Sequence, residues 1–105
     1  MERRLKTRLE ARARIMKALA QPTRLFIVDV LSQEEKCVQE LTEMVGADMS
    51  TVSKHLAVLR SAGIVADEKR GAKVFYRLKA PCVLRFLSCV EAVMKANAKE
   101  QSKLV

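Results

Sequence analysis

The chain has 105 residues, half of them hydrophobic, with only three glycines and two prolines, a composition that fits one globular, mostly helical domain without low-complexity stretches. A net charge of +8 points to a polyanionic partner, nucleic acid before anionic membrane. Tryptophan is absent and aromatics are 4%, which argues against aromatic platforms for unpaired bases and favours a duplex.

In chain order, residues 3–19 place Leu5, Leu9, Met16 and Leu19 near one helical face, with Arg3, Arg4, Arg8, Arg12 and Lys17 elsewhere. This segment reads as a solvated helix at a subunit interface in preference to a basic arm gripping DNA, because Glu2 and Glu10 interrupt the charge. "QPTRLFIVDVL" then starts a second helix: Pro22 suits the first turn, and Leu25, Phe26, Val28 and Leu31 make it a core helix. Residues 32–45 admit two readings at their start. Ser32 with Glu35 resembles a capping box, while "KCV" equally fits a short extended segment before a helix beginning near Gln39. Leu41, Met44 and Val45 keep helical spacing up to Gly46, a helix stop. Asp48 is an N-cap candidate for a helix that buries Val52, Leu56 and Leu59 and ends before Gly63.

After Gly63 the period changes to that of strands. "IVADEKRGAKVFYRL" reads as a hairpin with its turn at Arg70-Gly71-Ala72-Lys73. Pro81 opens a last helix over 81–97, with Cys82, Phe86, Cys89 and Val93 on one apolar stripe and Val83, Leu87, Val90 and Met94 on another. So wide an apolar face needs a second helix over it, and a chain this short gains from a partner subunit, so a homodimer is expected.

The segment "DMSTVSKHLAVLRSAGIV" carries the functional reading. A short helix, a glycine-containing turn and a capped second helix form a helix-turn-helix, whose second helix enters the major groove N-terminus first. Its first turns offer Ser50, Thr51, Ser53, Lys54 and His55. Hydroxyls reach phosphates or base edges, lysine reaches phosphate or guanine, and the helix N-terminus attracts phosphate. The tip "KRGAK", with Lys69, Arg70 and Lys73, would reach along the backbone or into the neighbouring minor groove. The fold expected is mainly α (α+β): a single winged helix-turn-helix domain over 1–105 with a two-stranded β-wing. Within it, 1–20 and 81–97 are dimerisation helices, 39–62 the helix-turn-helix and 64–79 the wing.

"QPTRLFIVDVL", "CVQELTEMVGADMSTVSKHLAVLRSAGIV" and "KRGAKVFYRL" resemble the ArsR/SmtB-type metal-responsive repressors over residues 15–96. The resemblance implies a homodimer, held by its first and last helices, that represses an operon and leaves the operator when an inducer binds. It places Ser50, Thr51, Ser53, Lys54 and His55 on the recognition helix and Lys69 to Lys73 in the wing. Met49 stands where many members carry glutamine, so operator preference does not transfer.

The inducer is read from Cys37, Cys82 and Cys89. An odd number of cysteines in a reducing compartment implies free thiols, and thiolates select soft ions. Three sulfurs without a histidine favour As(III), ahead of Cd(II) or Pb(II). Cys82 and Cys89 lie about 10.5 Å apart along a regular helix, so a site shared between subunits is the sharper form. Cys37 matches the first cysteine of the family's "CVC-[DE]-L" motif, whose second position is Gln39 here. Ala80, Cys82, Val93 and Ala96 replace the family's Asp/His zinc ligands, while cysteines in the last helix resemble variant arsenic sites. Cys82, between Lys79 and Arg85 near a helix start, also suits oxidation or persulfidation.

The expectation is therefore a cytoplasmic, homodimeric repressor of double-stranded operator DNA, needing no cofactor to bind and released through cysteine thiolates. The alternatives are a thiol-redox or reactive-sulfur-responsive repressor and an inducer-independent basic DNA-binding module. One histidine, no CxxC, no HExxH and no glycine-rich phosphate loop leave no catalytic set. The N-terminus lacks an apolar leader-like run and no stretch is long enough to span a bilayer, so no membrane partner is expected.

Overall fold

The computed structural model describes residues 1–104, with side chains described through Ser102. The elements are α1 (Arg3–Leu19), α2 (Pro22–Gln33), β1 (Lys36–Cys37), α3 (Val38–Val45), α4 (Met49–Ser61), β2 (Val65–Arg70), β3 (Lys73–Leu78) and α5 (Val83–Leu104). The strands form one antiparallel sheet in the order β1-β3-β2.

Local chemistry sets most boundaries. The Glu2 carboxylate accepts from the amides of Arg4 (2.8 Å) and Leu5 (3.3 Å) and starts α1. Pro22 opens α2 where its missing N–H would be unpaired anyway, and Gln21 Oε1 accepts from the Arg24 amide at 3.0 Å. The core gathers Ile27, Val28 and Leu31 of α2, Leu41 of α3, and Val52, Leu56 and Leu59 of α4. Ala18 and Leu19 from the end of α1, Val65 of β2 and Tyr76 of β3 complete its walls.

Two expectations change. The sheet has three strands, because Lys36 and Cys37 pair with Tyr76 and Phe75 along the free edge of β3. The extended reading of "KCV" is thus the correct one. Helix α2 continues through Ser32, whose Oγ donates to the Asp29 carbonyl at 2.6 Å instead of capping a new helix. The carboxylate that closes a helix start belongs to Glu40, which accepts from the Cys37 amide at 3.0 Å and so begins α3 at Val38.

The last helix also differs from the 81–97 expected. Pro81 and Cys82 form a turn in which the amides of Val83, Leu84 and Arg85 donate to the carbonyls of Ala80, Pro81 and Cys82. Regular α-helix begins only at Val83 and reaches Leu104, since residues 95–103 are dominated by Lys, Ala, Glu and Gln, strong helix formers with no breaker. Val83, Leu84 and Leu87 anchor α5 to the core. Every described side chain from Ser88 to Ser102 is exposed, with Val93 at 58% and Met94 at 56%.

Because Leu41 and Leu56 are fully buried at the junction of α2, α3 and α4, replacing either with Ala should lower unfolding free energy by roughly 2–5 kcal/mol. Replacing exposed Gln39 should change it by no more than about 0.5 kcal/mol. Urea denaturation followed by circular dichroism checks both.

Candidate nucleic-acid interface

The turn between α3 and α4 is built by Gly46 and Asp48. Gly46 adopts φ 78°, a left-handed conformation that costs glycine no Cβ clash, and its amide donates to the Thr42 carbonyl at 3.0 Å. Two residues later the Asp48 carboxylate accepts from the Thr51 amide at 2.9 Å, closing the first turn of α4. Hydrogen bonding from Thr51, assisted by the Lys54 charge, holds the Asp48 carboxyl below its ordinary value.

Val52, Leu56 and Leu59 are fully buried, so the opposite side of α4 faces outward. Ser50, Thr51, Ser53 and Lys54 all lie on that exposed side in the first two turns. The arrangement presents hydroxyls and one ammonium at the positive end of a helix dipole, suited to phosphates and base edges.

His55 is different. It is half-buried, and its Nδ1 accepts from Arg24 Nε at 3.1 Å. Arg24 also donates through Nη1 to the Ala18 carbonyl at 3.4 Å, so one guanidinium joins the end of α1, the start of α2 and the middle of α4. An accepting Nδ1 requires a neutral ring with the proton on Nε2. Burial first, and the Arg24 charge second, push the His55 pKa below its ordinary value. Nothing local in the sequence marks Arg24 for this role, because the partners stand 31 positions apart.

The wing tip separates its three cations. Register places Arg70 opposite Lys73, with Gly71 at φ 63° in the turn. Lys69 and Lys73 are exposed and, among the described residues, pair with no carboxylate. Arg70 Nη2 lies 2.9 Å from Glu35 Oε2 and 3.0 Å from Glu68 Oε2, and the guanidinium stacks 4.8 Å from the Phe75 ring centroid. Strand alternation puts Glu68, Arg70, Lys73 and Phe75 on one face, a pattern visible in sequence once the register is known. Arg60, at the end of α4, binds Asp67 of β2 at 2.8 Å and ties recognition helix to wing.

The cysteines are not brought together within one chain. Cys37 is buried in β1 against β3, whereas Cys82 and Cys89 are exposed, the first in the turn before α5 and the second along it. Among the described residues no three His, Cys, Asp or Glu side chains stand close enough to hold a metal ion.

A capped second helix with an open polar face, a short helix before it and a hairpin beside it define a winged helix-turn-helix DNA-binding domain. Residues 21–67 match the family described as "Bacterial regulatory protein, arsR family". Similar curated proteins include the HTH-type transcriptional repressor SmtB of Mycobacterium tuberculosis, 40% identical over 67% of this chain and 52% of its own length. The biofilm growth-associated repressor of Xylella fastidiosa is 32% identical over 84% of this chain and 77% of its own length. Among solved structures, the homodimeric winged helix-turn-helix domain Mb0332 of Mycobacterium bovis, a possible ArsR-family regulator, superposes with a TM-score of 0.81 at 31% identity, covering 95% and 93% of the two chains. The chain belongs to the arsR family of bacterial regulatory proteins. It spans about half the length (52%) of the SmtB repressor it matches.

The neutral His55 required by Arg24 has a consequence in pH. A depressed folded pKa means that the unfolded chain binds the proton more readily, so stability is complete above the unfolded value, about 6.5, and declines as pH falls through the folded one. The His55→Gln protein should lack this acid-side loss, so its stability relative to wild type should rise from pH 7 to pH 5, measured by urea melts at fixed ionic strength.

Proposed function

We propose that the protein is a homodimeric transcriptional repressor in the cytoplasm that binds double-stranded operator DNA through α4 and the wing and is released by a thiophilic inducer. The observation that carries the DNA half is the row Ser50, Thr51, Ser53 and Lys54, exposed on the side of α4 opposite its three buried apolar residues. Inserted N-terminus first, this row meets base edges while Lys69 and Lys73 reach the flanking backbone. The dimer half is supported by the uncovered apolar side chains of α5 and by the homodimeric state of the similar domain.

Release is assigned to Cys82 and Cys89. Both thiols are exposed, and each chain offers only these two outside the core, so a soft ion with three sulfur ligands would draw at least one from the partner subunit. As(III) is the inducer of choice, ahead of Cd(II) or Pb(II). A bound soft ion supplies directional bonds to thiolates, and the chain's part is to hold those thiols where α5 leaves the winged domain. Such an inducer must favour the released shape by a coupling free energy of roughly 1–3 kcal/mol. The same exposed thiols favour thiol-redox or reactive-sulfur sensing as the second reading.

Titrating the reduced protein, bound to a fluorescent fragment of its own promoter, with arsenite and separately with a persulfide donor distinguishes the two. Arsenite should release the DNA and protect Cys82 and Cys89 from alkylation; release by the persulfide donor alone would move the trigger to redox chemistry. Lys54→Ala should weaken promoter binding and lower the salt slope by about one per subunit. Cys82→Ser should bind as wild type and fail to release, and normal release by that variant would overturn the assignment.

A further inference from the structure

We propose that Arg70 is a positioning residue of the wing: it straps the tip of the hairpin to the body of the domain and so aims Lys69 and Lys73, without itself contacting DNA. This rests on the DNA-binding reading above, and it gives Arg70 a different part from the phosphate contact that its place in "KRGAK" suggests.

The other contacts stop short of the tip. β1 covers the edge of β3 only at Phe75 and Tyr76, so beyond them the hairpin is a two-stranded ribbon, which twists more than a wider sheet. On its inner face the ribbon packs against the core as far as Val74, while Arg70, Gly71, Ala72 and Lys73 are all exposed. A polar tie lies farther back, where Arg60 of α4 reaches Asp67 of β2 at 2.8 Å. That pair holds the hairpin before its turn and not at it.

Arg70 supplies the tie at the turn, and it crosses the sheet to do so. Rooted at the end of β2, its guanidinium passes 4.8 Å from the ring centroid of Phe75 on the central strand β3 and ends 2.9 Å from Oε2 of Glu35, which precedes β1 on the opposite edge. Among the described residues this is the only ion pair joining residues 69–74 to any part of the chain outside the hairpin. The second carboxylate, Glu68 at 3.0 Å, belongs to β2 itself and links nothing to the body. Two carboxylates against one guanidinium leave this cluster with one net negative charge, a poor partner for phosphate. Exposed ion pairs add little to folding free energy, so what the strap contributes is the direction of the tip.

Glu35 and Glu68 make a matched test, because each loses a charge from the same guanidinium and only Glu35 lies outside the hairpin. Fluorescence anisotropy of the full chain on its own promoter fragment, across a salt series, compares wild type with Glu35→Gln, Glu68→Gln, Arg70→Gln, the Glu35→Gln, Arg70→Gln double variant and Lys54→Ala. Urea melts verify that all are equally folded. Glu35→Gln should weaken binding roughly three- to tenfold although it removes a negative charge. Glu68→Gln should bind as tightly as wild type or tighter, and the double variant no more weakly than Arg70→Gln alone. Equal changes in the two carboxylate variants, of either sign or none, overturn the proposal. Tighter binding by Glu35→Gln, with a salt slope flattened by about one per subunit in Arg70→Gln, would make Arg70 a phosphate contact, against the proposal. Wild-type affinity in Lys54→Ala would instead remove the reading of DNA by α4, while the carboxylate pair still judges the wing. A wild type that binds no duplex removes both.

Discussion

The burial of Val52, Leu56 and Leu59 fixes what α4 can show to DNA. All three have no exposed surface, and they pack into a core shared with Ile27 and Val28 of α2 and Leu41 of α3. Turning the helix by a single residue, about 100°, would bring leucine to the surface and place serine or lysine in a close-packed interior, where an unpaired polar group is costly. The outward direction of Ser50, Thr51, Ser53 and Lys54 is therefore set by apolar packing on the opposite side. Recognition chemistry here depends on a core that contains none of the recognising residues.

Polar links around that core adjust aim more than they add stability. Arg24 holds His55 and the end of α1, Arg60 holds Asp67, and Arg70 holds Glu35, Glu68 and the Phe75 ring. Exposed ion pairs contribute little to folding free energy, but Arg24 links α1, α2 and α4, and Arg60 links α4 to β2. They also divide the cations by role. Arg70 already has two carboxylates around it and would have to exchange them for a phosphate, whereas Lys54, Lys69 and Lys73 need give up only water and counterions.

Sequence carried the recognition module well because its signals are local. Gly46 needs its left-handed turn, Asp48 its amide, and the spacing of Val52, Leu56 and Leu59 is that of one buried helical face. Long-range pairings are harder to read. A two-residue strand such as Lys36–Cys37 has no periodicity to detect and exists only because β3 offers it an edge. The engagement of His55 by Arg24 spans 31 residues and needs α2 and α4 already packed together. The end of α5 lies beyond its apolar stripes, which stop at Val93 and Met94, because helix propensity in the polar tail carries the backbone on to Leu104.

The uncovered half of α5 makes subunit association and DNA shape one thermodynamic problem. Its apolar side chains beyond Leu87 find no partner within the described chain, so under the proposed dimer the angle at which α5 leaves the domain sets the separation of the two recognition helices. That angle is fixed at the turn Ala80–Arg85, where successive short hydrogen-bonded steps link β3 to the helix and where Cys82 sits. A ligand bound, as proposed, by Cys82 and Cys89 would connect this turn to the helix beyond it. If it prefers one angle, DNA that prefers another must weaken it by the same factor by which it weakens the DNA, because linkage is reciprocal. The location of Cys82 within the junction and of Cys89 along the helix beyond it, with the third thiol inside the core, is thus what would give the proposed trigger leverage over the reading helix.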